Sequence, residues 1–282
     1  YEIQASDWSS DVCSSDLDPT DGAIHALIGG FDFGLSKFNH ITQGYRQPGS
    51  TIKPFIYSAA MEKNRMNPNS VVDDKPIKIG SWQPKNADGR YLGPIPLSTA
   101  LASSRNMVSI RLLQSIGNDY FRSYAERFGF EGKRIDKYLT VALGAIEATP
   151  YQIVGAYGVF ANGGYKVDPY FIKKVVDRSG TVILEAKPRL ANDEKNRVIT
   201  KENAAMTDAL LKGVVRGGTA RAASALGRSD IAGKTGTTND SVDAWFAGYQ
   251  PKLVAVAWMG FDTGNKSLGE GEFGGGLALP IW

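Results

Sequence analysis

From residue 18 onward, apolar and polar positions recur with regular periods. Asp18-Pro-Thr-Asp-Gly22 reads as a turn, and the apolar run Gly22-Ala-Ile-His-Ala-Leu-Ile-Gly29 after it as a strand. A helix is expected to begin near Ser50 and to run through Phe55, Ile56, Tyr57, Ala60 and Met61. Pro54 is tolerable there because the N–H groups of a first helical turn have no helical partner. Helical periodicity also covers 97–103, 107–117, 119–128 and 150–161. The last is opened by Thr149 and Pro150 as cap and first-turn residue and closed by Gly163-Gly164. Residues 167–186 read as a hairpin turning at Ser179-Gly180, 187–199 as a polar loop, and Thr200 with Asn203 as the start of a helix reaching about Val215. Short strand-like runs occupy 231–237, 244–249 and 253–261, the last two joined at Gln250-Pro251-Lys252. Helices in the middle and strands at both ends define an α+β domain whose terminal strands share one antiparallel sheet.

Residues 1–17 depart from this pattern. Ser6 to Leu17 form a near-duplicated Ser/Asp tract without helical or strand periodicity. They are expected to stand outside the fold as a non-native leader, leaving 18–282 as the folded domain.

A length of 282 residues allows a sizeable core, and 42% hydrophobic with 22% charged residues is an ordinary globular composition. The net charge of +3 is too small to point to nucleic acid, although it would not repel an anionic glycan or lipid surface. No apolar run approaches the roughly 20 residues of a transmembrane helix. The single cysteine, Cys13, cannot form an internal disulfide. With two histidines, His25 and His40, a metal site or a His-based triad is poorly supplied, and no cofactor is expected.

Three short motifs change the picture. In Ser50-Thr-Ile-Lys53 the outer two residues share one helix face, and Ser50 falls at the helix start, where free N–H groups favour negative charge. A serine hydroxyl is a weak nucleophile that a neutral lysine amine can activate. Bringing a lysine from about 10.4 to near neutrality takes about 4 kcal/mol, which burial and a second cation can supply. Ser104-Arg-Asn106, at the junction of two helical segments, offers a hydroxyl to relay a proton and a carboxamide to hold a substrate amide. Lys234-Thr-Gly236-Thr237 follows Gly233 on a strand, and glycine in a strand marks close approach by another chain or ligand. Lys234, Thr235 and Thr237 can bind a carboxylate there, with Lys234 as the second cation near Lys53. Each motif taken singly also fits a bland role, as a solvated helix face or a local cap. Their joint occurrence, in this order and on these elements, resembles the signature set Ser-x-x-Lys, Ser-Asp-Asn and Lys-Thr-Gly of class A β-lactamases and penicillin-binding proteins.

The resemblance extends beyond the trio. Gly44-Tyr-Arg-Gln-Pro-Gly-Ser50-Thr-Ile-Lys-Pro54-Phe, Trp82-Gln-Pro-Lys-Asn86, Ala142-Leu-Gly144, Phe160-Ala-Asn-Gly-Gly164 and Asp243-Ala-Trp-Phe-Ala-Gly-Tyr249 resemble the transpeptidase domain of class A, bifunctional penicillin-binding proteins, nearest to the Gram-negative 1A type. The likeness covers about 18–282 and implies that family's serine acyltransferase fold. It also implies a D,D-transpeptidase in which Ser50 attacks the penultimate carbonyl of a D-Ala-D-Ala stem peptide and Lys53 takes its proton. Ser104 would protonate the departing D-Ala and Asn106 would hold the donor. Lys234, Thr235, Gly236 and Thr237 would form the carboxylate site, and the backbone N–H groups of Ser50 and Thr237 the oxyanion hole. The implied partners are stem peptides as donor and amine acceptor, β-lactam antibiotics, a glycosyltransferase domain and membrane anchor elsewhere in the protein, and lipoprotein activators. The implied location is the periplasmic face of the inner membrane. The chain stops at Leu279-Pro-Ile-Trp282, where the family's closing helix begins, so one sheet face is expected to be uncovered.

Arg46, Gln47, Trp82, Asn86, Trp245 and Tyr249 are candidates either for the cleft lining or for purely structural roles. A β-lactamase would need a deacylating glutamate, and Glu147 sits in the wrong context for one. A D,D-carboxypeptidase differs only in using water as acceptor. A penicillin-sensing domain would acylate without turnover.

Overall fold

The computed structural model describes residues 10–34, 36–262 and 264–282. In chain order the elements are β1 (Ser10–Leu17), β2 (Ile24–Ile28), α1 (His40–Gln43), α2 (Lys53–Asn64), β3 (Val71–Asp74), β4 (Gly93–Pro96), α3 (Leu97–Ala102), α4 (Asn106–Ile116) and α5 (Asn118–Arg127). They continue with α6 (Pro150–Ala161), β5 (Lys174–Val176), β6 (Val182–Glu185), α7 (Lys201–Gly217), β7 (Ala232–Thr237), β8 (Asp243–Gln250), β9 (Leu253–Phe261) and α8 (Ala278–Ile281).

One five-stranded antiparallel sheet, in the order β2-β1-β9-β8-β7, joins the two ends of the chain, in keeping with the strand-like runs of the sequence. α6 lies on its inner face, with Gly158 against Leu17 of β1. Its start is the expected one: Thr149 Oγ1 accepts from Gln152 N–H and Gln152 returns the bond to the Thr149 N–H, with Pro150 in the first turn. α2 runs behind the sheet and is buried along its whole first two turns, from Lys53 to Met61. A helix buried on every side belongs inside a core. Phe55 anchors it, edge-on to Phe128, Phe130 and Tyr157 at centroid distances of 5.1, 5.1 and 5.5 Å.

Over residues 10–17 the expected exclusion from the fold is corrected. This stretch is β1, hydrogen-bonded between β2 and β9, with Cys13, Ser15 and Leu17 buried. Its inward positions are small and partly polar, so the alternation of hydropathy is faint in sequence. The apolar material comes from its neighbour, where Leu17 pairs with Val254, Ser15 with Val256 and Cys13 with Trp258. The part of the leader at 1–9 lies outside the described residues.

The hairpin at 167–186 forms as β5 and β6, turning through Gly180 at φ +85° with Asp177 Oδ1 accepting from the Ser179 and Thr181 N–H groups. The β3–β4 hairpin gives no signal in sequence, being four residues a side with Pro94 and Pro96 in it. On the outer sheet face α8 covers β8 and β9: Trp282 Nε1 donates to Ala255 O at 2.9 Å and its ring meets Phe246 edge-on. The uncovered part is the β2 edge, where Ile28 is 54% exposed.

Candidate active site

Ser50 stands in a single 3-10 turn, Gly49–Ile52, that leads directly into α2. The turn is held from three sides. Tyr157 OH of α6 donates to Thr51 O at 2.8 Å, Thr51 Oγ1 donates to Pro48 O at 2.8 Å, and Trp245 Nε1 of β8 donates to Gln47 O at 2.9 Å. Its packing leaves no room for side chains. Gly49, at φ +52°, lies against the Thr237 backbone, where a Cβ would fall 2.6 Å from the carbonyl oxygen. Gly144, at φ +89°, backs onto Gly49, and Gly236 faces Pro48 O. Three glycines thus let the Ser50 turn touch β7 backbone to backbone.

Lys53 is one turn beyond Ser50 and its N–H donates to Ser50 O. The side chain is fully buried. Its Nζ donates to Ser104 O at 2.7 Å and Asn106 Oδ1 at 2.7 Å, and reaches Ser104 Oγ at 3.3 Å. Lys234, also fully buried, donates to Ser104 Oγ at 3.0 Å and to Thr235 O at 3.1 Å. Burial holds the Lys53 amine well below the usual lysine range; the Lys234 cation adds to this, Asp74 opposes it and Arg105 again lowers it. Burial pushes Lys234 down to about 7. Either amine therefore loses its proton far more readily than a surface lysine. Ser104 adopts φ +54°, a left-handed conformation that costs a non-glycine residue on the order of 1–3 kcal/mol. That conformation turns both its carbonyl and its hydroxyl towards Lys53.

The three motifs thus converge. Ser50, Lys53, Ser104, Asn106, Lys234, Thr235, Gly236 and Thr237 meet where the start of α2, the α3–α4 turn and β7 come together. Thr235 Oγ1 shares a 2.6 Å hydrogen bond with Thr219 Oγ1, and Thr237 Oγ1 accepts from Gly274 N–H at 3.1 Å. Thr219 carries no signal in sequence, where it is only the residue after the Gly217-Gly218 helix end. A cavity of about 690 Å³ is walled by chain neighbours of this cluster, Gln47 and Thr238 among them, and by none of the eight residues themselves.

Of the six residues with alternative readings, Gln47 lines that cavity and Arg46 does so while stacking over Trp258 at 4.9 Å. Trp245 and Tyr249 belong to the core, the latter with its hydroxyl 3.1 Å from Asp208 Oδ1. Trp82 is partly buried against the core, and Asn86 is buried behind Asn106. His25 is on the surface, and His40 is buried against Trp258 with Nε2 2.7 Å from Asp262 Oδ1. Glu147 is paired with Arg134 at 2.5 Å. Among the described residues no His, Cys, Asp and Glu cluster suits a metal ion.

A fold and a serine–lysine cluster of this kind define a class, and comparison with known proteins agrees. The chain belongs to the penicillin-binding protein transpeptidase domain family, whose model matches residues 16–267. It is similar to penicillin-binding protein 1A of Neisseria lactamica, at 50% identity over 273 residues, covering 94% of this chain and 34% of that protein. Penicillin-binding protein 1A of Pseudomonas aeruginosa is 42% identical, over 94% of this chain and 38% of its own length. The crystal structure of penicillin-binding protein 1A from Haemophilus influenzae superposes with a TM-score of 0.91 at 38% identity, covering 97% of this chain and 46% of that one. PonA1 from Mycobacterium tuberculosis, solved in complex with penicillin V, gives a TM-score of 0.86 at 26% identity over 99% of this chain and 77% of its own. The chain spans about a third of the length of the curated relatives it matches.

Proposed function

We propose that this domain is a serine-type peptidoglycan D,D-transpeptidase. The observation that supports it best is the placement of Ser104 Oγ between two buried amines, one of them a turn from Ser50. Neutral Lys53 takes the Ser50 proton as Oγ bonds to the penultimate carbonyl carbon of a D-Ala-D-Ala stem peptide. The backbone N–H groups of Ser50 and Thr237 hold the oxyanion, each worth about 2.7–4 kcal/mol in the transition state. The proton passes through Ser104 to the nitrogen of the terminal D-Ala as its C–N bond breaks. The amine of a second stem peptide then attacks the acyl ester, and Ser50 Oγ leaves with a proton returned along the same path. Asn106 orients the donor peptide, and Lys234, Thr235, Gly236 and Thr237 receive its terminal carboxylate.

A β-lactam occupies the donor's place and leaves Ser50 acylated, a reading supported by the likeness to PonA1, which binds penicillin V. The remainder of the protein supplies a glycosyltransferase domain and an anchor at the periplasmic face of the inner membrane, where lipoprotein activators would reach it. No helix among the described residues is long and apolar enough to cross a membrane. The test supplies a D-Ala-D-Ala donor with and without an amine acceptor. Release of D-Ala with formation of the cross-linked product supports transfer, hydrolysis regardless of acceptor indicates a carboxypeptidase, and no release at all indicates a sensor. A penicilloyl-enzyme lasting hours, rather than seconds, excludes a β-lactamase.

A further inference from the structure

α4 begins at Asn106 without a cap of its own. Arg105 precedes it at φ −62°, ψ 121°, and no side chain of the helix's own start accepts its first N–H groups. A residue 20 positions upstream does so: Asn86 Oδ1 accepts from Asn106 N–H at 2.8 Å and from Met107 N–H at 3.4 Å. The other end of the same amide is equally committed. Asn86 Nδ2 donates to Asp74 Oδ1 at 2.9 Å and to Arg90 O at 2.8 Å. Asn86 is 4% exposed and Asp74 fully buried. Asp74 also accepts from Leu92 N–H at 3.1 Å and faces Arg105 Nε at 3.5 Å, while Arg105 reaches Asp88 at 2.7 Å.

The carbonyl of the preceding residue completes the clamp, since Lys85 O accepts from Asn106 Nδ2 at 2.7 Å. That bond fixes which way the Asn106 carboxamide points, and so turns its Oδ1 towards Lys53 Nζ. Backbone and side chain of Asn106 are thus both set by 85–86, which Asp74 fastens to the β3–β4 hairpin. A buried hydrogen-bonded carboxylate costs solvation, so a partner set this complete does more than fill space.

Resting on the transpeptidase reading of the site, we propose that Asn86 and Asp74 are positioning residues for acylation, holding Asn106 and through it the Lys53 amine. Neither touches the reacting atoms. A misplacement of about 1 Å at such a site costs about 100-fold in rate.

The test is a reciprocal exchange in the full 282-residue chain, read by the second-order rate of acylation by a fluorescent penicillin. Asp74→Asn and Asn86→Asp each spoil the donor–acceptor match and are expected to slow acylation about 10- to 100-fold. In the double variant one carboxylate and one amide remain with their places exchanged. The carboxylate now at position 86 can still accept from the α4 N–H groups, and the amide now at position 74 can donate to it; only the bond to Arg90 O is lost, as it is in Asn86→Asp alone. A double variant that acylates faster than Asn86→Asp alone supports the proposal, because a general packing lesion would add the two losses instead. Single variants that acylate at the wild-type rate, or a double variant no faster than Asn86→Asp, overturn it. Should Asn86→Asp fail to fold, a double variant that folds and acylates is itself the rescue, and one that also fails overturns the proposal. A wild-type chain that forms no adduct sinks the functional reading itself, a result distinct from both.

Discussion

Lys53 and Lys234 close on one hydroxyl, Ser104 Oγ, at 3.3 and 3.0 Å. Both side chains are fully buried. Two ammonium groups in that space would repel each other while each bore the cost of lost hydration, so the pair sheds protons as a coupled unit.

Removing the Lys234 charge relieves one of the causes that depress Lys53. The neutral fraction of Lys53 at a given pH then falls. In Lys234→Met the acid limb of the acylation pH–rate profile is expected to move to higher pH, with slower acylation at neutral pH. A purely structural lesion would lower the rate at every pH and leave the limb in place.

Stability follows the same linkage. Lys234 has a folded-state pKa of about 7 against an ordinary value of 10.5, so between those limits the unfolded chain binds more protons and stability rises with pH. The penalty is felt in full below the lower limit and is gone above the upper one. The Lys234→Met chain is therefore expected to melt above wild type at pH 7, with the gap narrowing as the pH approaches about 10. Thermal unfolding followed across that range checks it; a gap that widens would contradict the burial of a depressed amine.

Gly144 carries the Ser50 turn at one remove. A Cβ on it would stand 2.2 Å from Gly49 O, at a backbone φ of +89° that side chains rarely adopt. Gly144→Ala is expected to lower stability by about 1–3 kcal/mol and to slow penicillin acylation at least roughly tenfold by displacing Ser50. Denaturant unfolding and labelling kinetics on the same sample separate the two effects.

β1 provides a check on the sheet. Leu17 is fully buried between α6 and β9, so Leu17→Ala is expected to cost about 2–5 kcal/mol. Deleting residues 10–17 leaves the β9 edge unpaired, and a cooperative thermal transition is expected to be lost. A deletion variant that melts like wild type would show that the strand contributes nothing.

Much of the architecture is legible in the sequence, for definite reasons. α6 announces itself through Thr149, Pro150 and Gln152, whose capping chemistry is local. The serine–lysine cluster is legible because its three motifs are short and each lies within one element. β1 is not, since Cys13, Ser14 and Ser15 carry no alternation of hydropathy, and the buried Cys13 and Ser15 lie beside Trp258 and Val256 from the far end of the chain. Asp74 is equally silent: it acquires meaning only when the β3–β4 hairpin brings it to Asn86. Sequence patterns report what a segment does for itself, and both misses depend on what distant segments do for it.

The most direct measurement is peptide mass spectrometry of the chain after incubation with a β-lactam. The expected result is a single covalent adduct on the peptide containing Ser50, absent from Ser50→Ala and slowed about 10²–10⁴-fold in Lys53→Ala. An adduct on another residue, or undiminished labelling of Ser50→Ala, would contradict the assignment of the nucleophile.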